Sequence, residues 1–259
     1  MSIVASVKVQ DGIALGCDSA TQITARDPQG NIGVLKIYQN AKKLYNFGKD
    51  VPLGVLTYGI GNIGAKSIRT IIKEFEKEHK FSPNKAYQVK NFAKNLLGFM
   101  KKAYEEEYSS IPSDEKPLLG LFIAGYSSNS SLGEEWEFTI PKDEKAKPLR
   151  PKEIFGSSWR GVSIPFTRLY YGHDPRATQE IQAIGVSADK LKKVYEKYKT
   201  SIIYDGMPVK DAINLVRFIL HTTIGLQSFE IGAPSCSEPI QTAVIDEDGF
   251  KWIDKPTLT

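Results

Sequence analysis

Cysteine, histidine and long apolar runs are all scarce in this chain. Two cysteines in 259 residues, Cys17 and Cys236, with no CxxC spacing, exclude a disulfide framework and a cysteine zinc site. No metal or organic cofactor is expected. The longest apolar run, Leu118 to Tyr126, falls far short of the ~18–20 residues that a membrane span needs. The opening Met1-Ser2-Ile3-Val4-Ala5-Ser6-Val7-Lys8-Val9 has neither the basic stretch nor the apolar core of a signal peptide. The expected compartment is therefore the cytoplasm, with thiols reduced and no membrane partner. Neither charge dominates: 34 Lys+Arg face 30 Asp+Glu, for a net charge of +4. The pairs Lys42-Lys43, Lys101-Lys102 and Lys192-Lys193 are scattered among acids such as Glu105, Glu106 and Glu107. Nucleic-acid binders gather basic charge on one face, so no nucleic-acid partner is expected. His79, His173 and His221 are spread out with no nucleophile elbow, which argues against a Ser-His-Asp triad.

What is present is enough apolar residue, 41%, to build a core. Ile3, Ala5, Val7 and Val9 alternate, Asp11-Gly12 marks a turn, and Ile13 to Cys17 follows, which together predict a β-hairpin. Residues 19–39 read as a loop or short irregular strand. Lys43 to Phe47 and Leu53 to Tyr58 predict a second strand pair. Helices are predicted around Ile68, Ile71, Ile72 and Phe75, and from a Ser82 cap with Pro83 through Val89 to Met100. Strands are predicted at Leu118 to Gly125, Glu135 to Ile140 and Glu180 to Val186. Residues 141–178, with five prolines, read as an irregular insertion. Helices from Ser187 and from near Pro208 precede a last strand pair at Pro239 to Ile245 and Phe250 to Ile253. This order predicts an α+β fold: one domain over 1–259, a four-layer αββα sandwich of two antiparallel sheets flanked by helix pairs.

Gly59-Ile60-Gly61-Asn62-Ile63-Gly64 is a literal GxGxxG between a strand and a helix. A dinucleotide site would need a parallel strand after that helix, and the sequence offers another helix instead. The glycines are read as a tight strand-to-helix turn.

The residues that carry chemistry begin at Ser2. A small second residue generally permits removal of the initiator Met. The chain would then open on a serine with both a hydroxyl and a free α-amine, whose pKa of about 7.7–8.0 suits a general base near neutral pH. One residue can thus hold nucleophile and base together. Asp18 ends the second predicted strand and Lys43 begins the next strand pair. If both lie beside Ser2, the ammonium favours the ionised hydroxyl and the carboxylate holds the ammonium charged.

The run Ser2-Ile3-Val4-Ala5-Ser6-Val7 through Asp11-Gly12-Ile13-Ala14-Leu15-Gly16-Cys17-Asp18-Ser19-Ala20-Thr21 resembles the start of a proteasome β-type subunit or of its bacterial relative, the HslV-type peptidase, both N-terminal nucleophile (Ntn) hydrolases, and the departures from their pattern suggest a divergent bacterial-type proteasome homologue. The spacing from Ser2 to Asp18 and the Lys42-Lys43-Leu44-Tyr45 context carry the resemblance, which is strongest over residues 2–75. It implies the Ntn hydrolase fold and catalysis by Ser2, Lys43 and Asp18, with the Gly59 N–H in the oxyanion hole. It further implies Thr21, Gln22 and Thr57 flanking the substrate, and Gly185 with Ser187 in support. The implied activity is a self-compartmentalising peptidase, cutting peptides or unfolded proteins inside a homo-oligomeric ring that an ATPase unfoldase could feed. Two other readings stand beside it: an Ntn amidase or transpeptidase acting on a defined small amide, and a catalytically silent ring subunit. Serine in place of the family's threonine is the chief departure. The family's late Ser-Gly-Gly segment maps only loosely onto Ser235-Cys236-Ser237.

Overall fold

The computed structural model describes residues 2–26, 32–48, 51–79 and 86–256. Met1, Ser82 and Pro83 lie outside them, so the expected helix cap and the fate of Met1 do too.

Strand β1 (Ile3–Val9) is buried along its whole length because both of its faces are covered. Its odd residues Ile3, Ala5, Val7 and Val9 join one apolar cluster, while Val4 on the other face joins a second. Beyond Val4 that second face turns polar: the Ser6 hydroxyl donates to Glu135, and Lys8 Nζ donates to the Lys152 carbonyl at 2.5 Å. β1 and β2 (Gly12–Cys17) form the expected hairpin, with Val4 opposite Cys17 and Val9 opposite Gly12. β13 (Gln241–Asp246) pairs with β2, and β14 (Gly249–Asp254) closes that edge.

The opposite edge differs from expectation. β12 (Gly156–Gly161) pairs antiparallel with β1, Ile3 opposite Gly161 and Lys8 opposite Gly156. Residues 141–178 therefore include an integral edge strand as well as helix α3 (Ile164–Tyr171), rather than an irregular insertion. Their prolines sit at compatible places, Pro165 in the first turn of α3 and Pro148 at the end of β11 (Lys147–Pro148).

The second sheet runs in the order β11, β10 (Glu134–Ile140), β9 (Leu119–Gly125), β6 (Leu53–Gly59), β5 (Leu44–Asn46). Its alternation sorts side chains cleanly. Leu53, Val55, Leu121, Ile123 and Phe138 join helices α1 (Ile68–His79) and α2 (Val89–Tyr108), through Ile71, Phe75, Phe92 and Leu96. Leu56, Tyr58, Phe122 and Ala124 face the other way and meet Val4, Ile13, Leu15 and Ile245 of the first sheet. On the first sheet's outer face, Ile3, Ala5 and Ala14 meet Val216, Ile219 and Leu220 of α6 (Val209–Gln227) and Phe166 of α3.

Two further readings are corrected. Residues 19–39, read as a loop or short irregular strand, hold a two-stranded ribbon, β3 (Thr21–Arg26) and β4 (Ile32–Tyr38), in which Thr21 lies opposite Tyr38. Its β-branched residues outweigh the polar composition. The predicted strand at Glu180 to Val186 instead falls in helix α4 (Pro175–Ala183) and the turn after it. Asp174 caps that helix by accepting from the Arg176 amide, with Pro175 at the first position. α5 (Ala188–Tyr198) follows with Ser187 as its N-cap residue. The glycine-rich turn holds a small ribbon, β7 (Asn62–Ile63) with β8 (Lys66–Ser67), and opens directly into α1. The described residues thus form an α+β fold of antiparallel sheets and six helices. None of these helices is long and apolar enough to cross a membrane.

Gly16 exists to let α6 approach: a Cβ built there would lie 2.4 Å from Val216 Cγ1 and 3.0 Å from Leu220 Cδ1. Gly16→Val is expected to destabilise the fold by about 1–3 kcal/mol through overpacking. Combining it with Val216→Ala should recover part of that loss, read as the shift of the urea midpoint in a double-mutant cycle.

Candidate active site

One end of the first sheet and one end of the second meet where Cys17 gives way to Asp18 and Lys43 leads into β5. Asp18 is fully buried, and its carboxylate gathers four donors. Lys43 Nζ lies 2.8 Å from Oδ1, and the Ile3 amide donates to the same oxygen at 3.1 Å. The Ala20 amide donates to Oδ2 at 2.9 Å and the Ser237 amide reaches it at 3.4 Å. Burial pushes the Asp18 carboxyl above the ordinary carboxylate range, while the Lys43 ammonium, then the amides, pull it back down.

Ser2 enters this arrangement through its backbone. Its carbonyl accepts from the Val162 amide at 2.8 Å, and its following amide, that of Ile3, is held by Asp18. Gly161 makes this close approach possible. It has φ +86°, and a Cβ there would lie 1.8 Å from the Ser2 carbonyl oxygen. Ser2 is 4% exposed and Lys43 7%, and both line one cavity of about 770 Å³. Thr21, Gln22, Thr57 and Gly59 line the same cavity, so seven of the expected site residues are assembled around Asp18 and this space. Thr57 is tied to the lysine segment, its amide donating to the Lys43 carbonyl at 2.9 Å. Gly59 has φ +98°, and a Cβ on it would lie 2.1 Å from the Leu118 carbonyl, so only glycine fits that strand end. The Thr21 hydroxyl packs close to Gly61, 3.3 Å from where its Cβ would stand. Gln22 anchors the β3–β4 ribbon by donating to the Pro234 carbonyl at 3.2 Å.

Gly185 and Ser187 are not brought in. Both are exposed in the turn between α4 and α5 and neither lines the cavity. Their expected support role depended on a strand that is a helix. The residues that do support the site were only loosely legible or missed. Ser237 gives its amide to Asp18 and its carbonyl to the Ser19 amide at 3.2 Å. Gln241 is fully buried, donates to the Ala41 carbonyl at 2.7 Å and accepts from the Lys43 amide at 3.3 Å, fixing the approach to Lys43. Gln227 Oε1 accepts from the Cys236 amide at 2.9 Å and the Ser235 amide at 3.2 Å. Gln241 opens β13 and Gln227 ends α6, positions at which a polar residue gives no sequence signal of a buried role. Cys17 and Cys236 flank Asp18, but burial pushes both thiols up, which keeps them protonated and inert at neutral pH. Among the described residues no cluster of His, Cys, Asp and Glu could hold a metal ion.

No protein-family model and no curated protein matches the chain. Solved structures do. A Gly-1 mutant of Anbu from Hyphomicrobium sp. strain MC1 is similar at TM-score 0.58 and 11% identity, over 100% of this chain and 89% of that one. Anbu from Pseudomonas aeruginosa, solved as a helical assembly of the Anbu complex, gives 0.58 and 12%, over 99% and 88%. Anbu, the ancestral β-subunit, from Yersinia bercovieri gives 0.55 and 14%, over 98% and 88%. The chain therefore has the fold of Anbu, a proteasome-like but distinct subunit. This corrects the expectation of a proteasome β-type or HslV-type family member. The hairpin with its acid and lysine is a feature that the fold positions, and identities of 11–14% carry the fold and no family assignment.

Lys43 and Asp18 are a buried pair, so removing one charge leaves the other unpaired. Lys43→Met is expected to lower stability by roughly 3 kcal/mol, and Asp18→Asn/Lys43→Met should be less destabilised than the sum of the single changes. Chemical denaturation of the four proteins measures this.

Proposed function

We propose that this chain is a subunit of a self-compartmentalising peptidase, with Ser2 as its N-terminal nucleophile once Met1 is removed. The observation that carries the reading is the 2.8 Å Lys43–Asp18 pair, which shares Asp18 Oδ1 with the amide next to Ser2, at the wall of a cavity large enough for a peptide. In this reading Ser2 Oγ bonds to the scissile carbonyl carbon and passes its proton to the α-amine. The Lys43 ammonium stabilises the developing alkoxide, and Asp18 keeps that ammonium charged and aimed. The Gly59 N–H receives the carbonyl oxygen as it gains charge. The C–N bond then breaks, the leaving amine takes the proton from the Ser2 amine, and water hydrolyses the ester to restore the hydroxyl. Thr21, Gln22 and Thr57 border the bound peptide backbone. We read the architecture as a single four-layer αββα domain, on the strength of one apolar cluster between the sheets and one beneath each helical layer. Assembly with further copies of the chain is supported by the helical assembly of the Pseudomonas aeruginosa neighbour. A silent structural subunit is the second reading, favoured by the same neighbour.

A β-lactone probe separates the two. With protein shown by intact mass to lack Met1, one adduct on Ser2 is expected, absent in Ser2→Ala and formed at least about 10²-fold more slowly in Lys43→Met. No adduct in the Met1-free protein removes the hydrolase reading and leaves the structural one.

A further inference from the structure

Among the described residues, the main cavity is lined by three cations, Lys42, Lys43 and Arg69, and by no carboxylate. Lys43 is neutralised by Asp18. Lys42 and Arg69 are in no ion pair among the described residues. They also line an adjoining cavity of about 520 Å³, which adds Lys73 and Glu76. Glu76 is the one acid lining it among the described residues, and its Oε1 is engaged by the Gly48 amide at 3.0 Å. Three cations thus face one carboxylate.

This arrangement is costly to the free protein. Arg69 and Lys73 are four apart on α1, a like-charge pair that weakens a helix. The Lys42 ammonium is half-buried, 5.4 Å from the ring centres of Tyr45 and Trp252. Burial first, and then Arg69, Lys73 and Lys255, hold its pKa below the ordinary lysine value. The two rings offset part of the Lys42 burial, yet none of the three cations is in an ion pair among the described residues, and local violations of this kind are expected at functional sites. A bound carboxylate would relieve all three charges, with the planar Arg69 fork offering two parallel N–H donors and the lysines point charges.

We propose that Lys42 and Arg69, which line the substrate cavity, and Lys73, which lines the adjoining one, form an anion subsite that seats a peptide carboxylate, so that the substrates are acidic peptides. The inference rests on the reading above for a peptide occupant beside Ser2. It does not require that Ser2 act on the peptide. An Asp or Glu side chain and a free chain end both present this group, and the test separates them.

The test uses full-length Ser2→Ala protein, which removes the proposed nucleophile, and fluorescent peptides read by anisotropy at physiological ionic strength. An amidated peptide with a central Glu is compared with its Gln counterpart, and the Gln peptide is compared with free and amidated ends. Tighter binding of the carboxylate form by about tenfold is expected in one comparison or both, which names the source. The preference should vanish in Lys42→Gln/Arg69→Gln and reverse toward a Lys peptide in Arg69→Glu, whose side chain is exposed. It should persist in Lys192→Gln/Lys193→Gln, which removes the same net charge elsewhere. Equal binding of both members of each pair overturns the subsite, as does a preference that survives loss of Lys42 and Arg69. Cleavage by the Met1-free wild type without acidic preference sinks the subsite and spares the peptidase reading. Acidic preference in a protein that β-lactone never labels does the reverse.

Discussion

A single buried carboxylate organises the site. Asp18 sits where two sheets converge, and its oxygens gather an ammonium from the residue before β5, the amide that follows Ser2, and amides from the residues after β2 and before β13. A buried charge is tolerated only when it is paired and hydrogen-bonded, so these donors are held in place by the free energy of leaving Asp18 unsatisfied. The same constraint ties Ser2, Lys43 and Ser237 together although they lie far apart in the chain.

Glycine sets the clearances around that centre. Gly16 admits α6 against the first sheet, Gly161 admits the Ser2 carbonyl, and Gly59 ends β6 against the Leu118 carbonyl. Each removes a side chain where two backbones or a helix and a sheet approach too closely for a Cβ. The layered core then fixes where the two sheet ends meet, and the cavity opens at that junction. The β3–β4 ribbon, anchored by Gln22, forms one wall and the start of α1 the other. Its unbalanced positive charge comes from one loop residue and one helix face, which share no sequence signal.

Much of this was legible in the chain. Alternation in Ile3 to Val9 and Ile13 to Cys17, the apolar stripes of α1, α2 and α6, and the Asp-Gly turns correspond to elements the fold contains. The acid, the lysine and the strand-ending glycine stood at recognisable spacings and do converge. The family expectation rested on those spacings, whereas the solved structures that match share the fold at 11–14% identity, too little to carry a family. Segments with mixed signals misled. In β12 a Ser- and Gly-rich run becomes a strand because β1 offers it a partner, and Ile181 with Ala183 reads as a strand only until the Asp174-Pro175 cap is weighed.

By itself the sequence determined local periodicity, turns and the chemical character of Ser2, Asp18 and Lys43, since these depend on near neighbours along the chain. Tertiary structure alone decided that Gly161, Ser237 and Gln241 hold the site, that Gly185 and Ser187 stand apart from it, and that Lys42 shares a cavity with Arg69. Those facts depend on which strand pairs with which, a choice made by burial and hydrogen-bond satisfaction across the whole molecule, which no short stretch of residues encodes.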